Sequence, residues 1–81
     1  MFTNELKKGD MVMQRNGWKA RLEDNMKGNT RLCTVYGDFT EMGSVYSHDI
    51  LYKMNDDGSR TIIEHTPAQT KLRERCNAMG F

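Results

Sequence analysis

His48 is followed directly by Asp49, and His65, Cys33 and Cys76 are the chain's other side chains suited to acid–base, nucleophilic or metal chemistry. A His-Asp pair can orient a general base, and His with Cys can ligate zinc. The spacing speaks against both. Adjacent residues of a strand point to opposite faces, so His48 and Asp49 are expected to diverge. No third ligand lies at metal spacing from either histidine, and no serine or cysteine sits in a nucleophile motif. Cys33 and Cys76 are expected to be reduced, half-buried thiols, since nothing indicates an oxidising compartment. Asp56 and Asp57 fall in "NDDGS", which lacks the spacing of a calcium loop and reads as a turn. No catalytic residue, metal site or cofactor is expected, and the chain reads as a non-catalytic binding protein.

Two groups of residues could do the binding. Residues 37–48, "GDFTEMGSVYSH", carry Phe39, Met42, Tyr46 and His48 in a long connection, in which "SVYS" has β-character. Exposed methionine and aromatic side chains suit adaptable protein contacts, with a separate partner or between copies of the chain. The second group is basic: Arg15, Lys19, Arg21, Lys27 and Arg31. On neighbouring strands they would form a face for RNA or DNA. A third possibility is a small phosphorylated ligand held at a subunit interface. Net charge is only +1, but residues 1–31 hold seven basic and four acidic side chains, and residues 32–65 hold two and six. That dipolar distribution is not the profile of a general nucleic-acid binder. Protein–protein contact through Phe39, Met42, Tyr46 and His48 is the leading expectation.

The elements that position these residues are mostly strands, over residues 6–65. "DMVMQR" and "WKARLED" flank Asn16-Gly17, a strong hairpin signal. In the second run Trp18, Ala20 and Leu22 share one face and Lys19, Arg21 and Glu23 the other. Trp18 is expected to anchor the core. "TRLCTVYG" is rich in β-formers, and "SHDILYKM" pairs with "RTIIEH" across "NDDGS". From Thr66 the pattern becomes helical, over about 66–79. Thr66 is the N-cap, Pro67 the first helical residue and Gln69 the partner in a capping box. Ala68, Leu72, Cys76 and Met79 form the expected inner stripe, and Gly80 suits the C-terminal cap. The fold expected is mostly β, a small barrel of about five strands closed by a C-terminal helix.

The stretch "LKKGDMVMQRNGWKARLEDNMKGN", with its Gly-Asp, alternating strand, tight turn and second strand, resembles the opening of small SH3-like and KOW-type barrels over roughly residues 6–24. KOW modules usually carry a further glycine near the position of Lys19 or Ala20, which this chain lacks. The texture of "RLCTVYGDFTEMGSVYSHDI" is similar to that of short proteins encoded by tailed bacteriophages. The resemblance implies an accessory protein acting in the cytoplasm of an infected bacterium. KOW-type relatives bind RNA, ribosomes or RNA polymerase, and SH3-like ones bind peptides.

At 81 residues, with 37% hydrophobic and 28% charged side chains, the chain is long enough for one globular domain. No run approaches the roughly 18–20 apolar residues of a membrane span. "MFTNELKKGD" lacks the apolar core of a signal peptide. A cytoplasmic protein without membrane contact is the expectation.

Overall fold

Period-2 alternation organises the structure, a computed structural model in which residues 1–78 are described. A 3-10 turn at Thr3–Glu5 precedes strands β1 (Met11–Gln14), β2 (Lys19–Leu22), β3 (Thr30–Tyr36) and β4 (Thr40–Tyr46). A second 3-10 turn, Ser47–Asp49, leads into β5 (Ile50–Met54), β6 (Arg60–Ile62) and helix α1 (Pro67–Ala78). All six strands are antiparallel in one sheet, in the order β4-β3-β2-β1-β5-β6. Among the described residues no ladder joins β4 to β6, so the sheet is open.

There are six strands where about five were expected, because part of the expected 37–48 connection is β4. Its register with β3 runs unbroken from Tyr36↔Thr40 to Thr30↔Tyr46. Gly37, Asp38 and Phe39 remain as a turn before β4, and Ser47 and His48 begin the second 3-10 turn. On β4 the inward positions are Glu41, Gly43 and Val45, and only Val45 is buried. A strand with one apolar residue facing the core carries almost no alternation signal, which is why it reads as loop.

The core joins both ends of the sheet. Val12, Ala20, Leu22, Cys33, Val45, Ile50 and Ile63 form one buried cluster with Leu6 from the N-terminal segment. Trp18 is not part of it. The indole is 43% exposed, one residue beyond the start of β2. It shares the face of Ala20 and Leu22 but lies past the end of the core. The hairpin preceding it has three loop residues: Gln14 N–H donates to Trp18 O and Gly17 N–H to Gln14 O, both at 3.0 Å. Gly17 supplies the left-handed residue (φ 88°) that a type I turn with a bulge needs.

The capping box forms. Gln69 N–H donates to Thr66 Oγ1 (3.2 Å), and Thr66 N–H donates to Gln69 Oε1 (3.0 Å). Gln69 Nε2 also donates to the buried Thr3 Oγ1 at 3.2 Å, tying the helix to the N-terminal 3-10 turn. Over residues 67–76 of the helix the buried and half-buried residues are Gln69, Leu72, Arg73 and Cys76, a stripe at i, i+3, i+4 and i+7. Ala68 is exposed, so the inner stripe is rotated by one residue from the expected one. Met79 and Gly80 lie outside the described residues. Gln69→Ala removes a cap acceptor and a buried donor together. The expected cost is about 1–3 kcal/mol, seen as a lower thermal midpoint with the strand signal retained at room temperature.

Candidate functional site

The two groups of candidate residues separate in the structure. Within the basic group, Arg31 is buried and its guanidinium is fully used. Nε donates to Asp24 Oδ1 (2.8 Å), Nη1 to Thr3 O (2.6 Å), and Nη2 to Leu6 O and Asp24 O (both 2.9 Å). It staples the N-terminal segment to the β2–β3 connection and is not on the basic face. Arg31 alternates in phase with Cys33 and Val35, but the acceptors that hold it, Thr3 and Leu6, are distant in sequence. Arg15 is also committed to structure, with Nη2 donating to His48 O at 2.9 Å and Nε 3.8 Å from Asp49 Oδ1.

Arg21 lies on the outer face but donates through Nε and Nη2 to one oxygen of Glu23 (3.0 and 2.8 Å). The Thr34 hydroxyl donates to the same oxygen. That hydroxyl first, and Arg21 second, hold the Glu23 carboxyl below its ordinary range. Hydrogen bonding to Glu23 in turn raises the Arg21 guanidinium. Lys27 stands apart in the β2–β3 connection, beside Asn4, Lys7 and Asn25. Lys19 is exposed on the outer face.

The apolar group converges better. Phe39, Met42 and Tyr46 are 76%, 66% and 46% exposed, along β4 and its preceding turn. His48 does not join them at the surface. It is buried in the 3-10 turn, stacked under Tyr46 with ring centroids 5.0 Å apart and planes at 13°. Because that turn is not a strand, His48 and Asp49 do not diverge: Nδ1 lies 3.2 Å from Asp49 Oδ1. The contact lacks hydrogen-bond geometry, and neither ring nitrogen has a partner. Asp49 holds the hairpin through its backbone, where its carbonyl accepts from Arg15 N–H at 2.7 Å. His65 places Nε2 2.9 Å from Ile50 O. Among the described residues no three His, Cys, Asp or Glu side chains are placed to hold a metal ion.

Between β4 and the β1–β2 hairpin opens a pocket of about 260 Å³. Trp18, Met42 and Tyr46 line it with Glu41, Asp49 and Gln14. Gln14 is buried beside the pocket, and its Nε2 has no hydrogen-bond partner. Trp18 and Gln14 were not among the expected site residues. The indole is seated on Gly37, where an added Cβ would lie 2.5–2.7 Å from its ring atoms. Gly37→Ala is therefore expected to push Trp18 toward solvent, read as a red-shifted emission of this lone tryptophan, at a cost of about 1–3 kcal/mol. Unchanged emission would mean the indole does not rest there.

β4 is also an edge strand. Ser47 N–H donates to Asn29 O and Gly37 N–H to Phe39 O, one at each end of the β3–β4 ladder. In an antiparallel pair hydrogen-bonded positions alternate, so Glu41, Gly43 and Val45 bond to β3. The backbone groups of Thr40, Met42, Ser44 and Tyr46 then face away from the sheet. Comparison of the chain with protein-family models, curated proteins and solved structures returned no match.

Proposed function

We propose that this chain is a non-catalytic protein-binding module that takes up an extended segment of a partner along β4. The observation that carries the reading is the long open edge, whose one charged residue is Glu41. β4 is seven residues long, with no proline, no lysine and no break in its register. Edges of this kind invite strand addition, and proteins usually block them. The opposite edge, β6, has three residues and includes Arg60. Phe39, Met42 and Tyr46 supply apolar contact beside β4, and the Trp18 pocket takes a side chain from the added strand. Asp38, Glu41 and Asp49 make this rim acidic, which suits a basic segment.

The connectivity supports an SH3-like reading of the first five strands: β1–β4 form a meander, and β5 returns beside β1 after a single 3-10 turn. β6 and α1 are additions to it. Two free cysteines suit a reducing compartment such as the bacterial cytoplasm, where an accessory phage protein would act. Among the described residues no helix is long and apolar enough to cross a membrane.

Ser44→Pro tests the proposal. The Ser44 N–H faces outward, so proline there removes an edge donor without cutting the ladder to β3. Peptides of twelve residues selected from a random library on the immobilised protein are expected to be basic and to lose at least about tenfold in affinity for Ser44→Pro. Equal binding to both forms would refute strand addition. A concentration-dependent dimer abolished by Ser44→Pro would make a second copy of the chain the partner.

A further inference from the structure

The outer face of the sheet carries a second site that is independent of β4. Five basic residues lie within strands: Lys19, Arg21, Arg31, Lys53 and Arg60. Arg21, Arg31 and Lys53 are paired with Glu23, Asp24 and Asp10. Among the described residues Lys19 and Arg60 have no carboxylate partner, and both line the same cleft, of about 370 Å³. Met13, Tyr52, Met54, Asn55, Gly58 and Ser59 complete it, with no acidic side chain among them. Elsewhere in the sheet each strand cation has its counter-charge. Here the counter-charge is left for a ligand to supply.

The register specifies the layout. Met13 on β1 stands opposite Lys19 on β2 and opposite Tyr52 on β5. The Arg60 guanidinium carbon sits 4.6 Å from the Tyr52 ring centroid, a cation–π contact that holds Arg60 over the ring. Lys19 and Tyr52 are two strand spacings apart, about 10 Å. A nucleotide, with its base and its phosphate on opposite sides of the sugar, bridges more of that separation than a single inorganic phosphate does. Tyr36, opposite Lys19 on β3, continues the row with a second aromatic. Sheet faces that alternate aromatic rings with cations bind single-stranded nucleic acid by stacking and phosphate contact.

We infer that this cleft binds a nucleotide unit, its phosphate on Lys19 and its base against the Arg60–Tyr52 pair. The methionine side chains of Met13 and Met54 form an apolar floor under the sugar and base. Asn55 Nδ2 is already used by Ser59 and Thr61, so the turn contributes shape rather than base selection.

The test uses two probes, adenosine monophosphate and an eight-nucleotide oligouridine RNA, titrated into isotopically labelled protein at about 50 mM salt. Amide shifts centred on Lys19, Tyr52 and Arg60 are expected. A Lys19→Glu/Arg60→Glu variant should weaken binding at least about tenfold and flatten the salt dependence by about one unit of slope or more. A Lys7→Glu/Lys8→Glu variant, with the same charge change outside the cleft, should stay within about threefold. Binding of both probes with this sensitivity assigns a site for free nucleotide, and binding of RNA alone assigns one unit of a strand. No shifts from either probe, shifts centred elsewhere, or equal losses in the two variants would overturn the proposal. The shift map on the unmodified protein decides the matter even if the cleft variant does not fold.

Discussion

Arg31→Met is expected to remove a large share of this protein's marginal stability. The substitution removes a buried cation, the donor to the Leu6 carbonyl, and one donor each from the Asp24 carboxylate and the Thr3 carbonyl, which keep the N–H groups of Leu32 and Leu6. Breaking a buried pair from one side costs about 3–5 kcal/mol, since the remaining charge stays desolvated. A chain of this size has about 4–12 kcal/mol in total. One kcal/mol corresponds to roughly 4–8 °C at this length, so the thermal midpoint should fall by at least about 12 °C. Arg31→Lys should recover little, because an ammonium cannot reproduce the fork that reaches Asp24, Thr3 and Leu6 together. A midpoint within about 5 °C of the unmodified protein would show that the N-terminal segment is not stapled by Arg31.

The second large effect concerns the two cysteines. Burial pushes the Cys33 thiol up to about 11, with the nearby Asp24 charge adding to the shift. Only the thiolate reacts, so the rise from an ordinary value of 9.0 lowers its reactive fraction about a hundredfold at neutral pH. The side chain is also inaccessible, at 0% exposure. Cys76 is half-buried on α1. Alkylation of the native protein should therefore proceed in two phases: Cys76 first, and Cys33 at least about a hundredfold more slowly, through opening of the sheet. Cys33 pairs with Leu22 on β2 and Gly43 on β4, so its protection reports the two ladders that support the candidate edge. In Arg31→Met the slow phase should accelerate by about two to three orders of magnitude, following the lost stability. Two thiols reacting equally fast in the native protein would mean that β4 is not held against β3.

The two results bear on function as well as on folding. The proposed edge is usable only if β4 is firmly paired on its inner side while its outer backbone groups stay open. Arg31 sits opposite Val45 in that pairing, so the staple that secures the N-terminal segment also anchors the end of β4. The pocket beside β4 and the Lys19–Arg60 cleft share no lining residue.

Local chemistry alone made much of the architecture legible. Asn16-Gly17 and "NDDGS" announce reversals because glycine reaches the left-handed backbone conformation they require. Thr66, Pro67 and Gln69 announce the helix start because their side chains satisfy or dispense with unpaired N–H groups. Alternation placed Lys19 and Arg21 opposite Ala20 and Leu22. Each of these depends on residues a few positions apart. What depended on distant partners was not legible. Arg31 looked like a surface cation because its acceptors, Thr3 and Leu6, lie more than 20 residues away. β4 looked like a loop because glycine and glutamate occupy its inward positions, and only pairing with β3 makes it a strand. Trp18 looked like a core anchor because alternation gives the face of a residue but not how far along the strand the core extends. Lys19 and Arg60 share a cleft only because β1 and β5 pair between them. Sequence therefore determined the elements and their faces, through short-range backbone and hydrogen-bond preferences. Tertiary structure decided which charges were buried, which edge stayed open and which cations were left unpaired, because those outcomes follow from contacts between segments far apart in the chain.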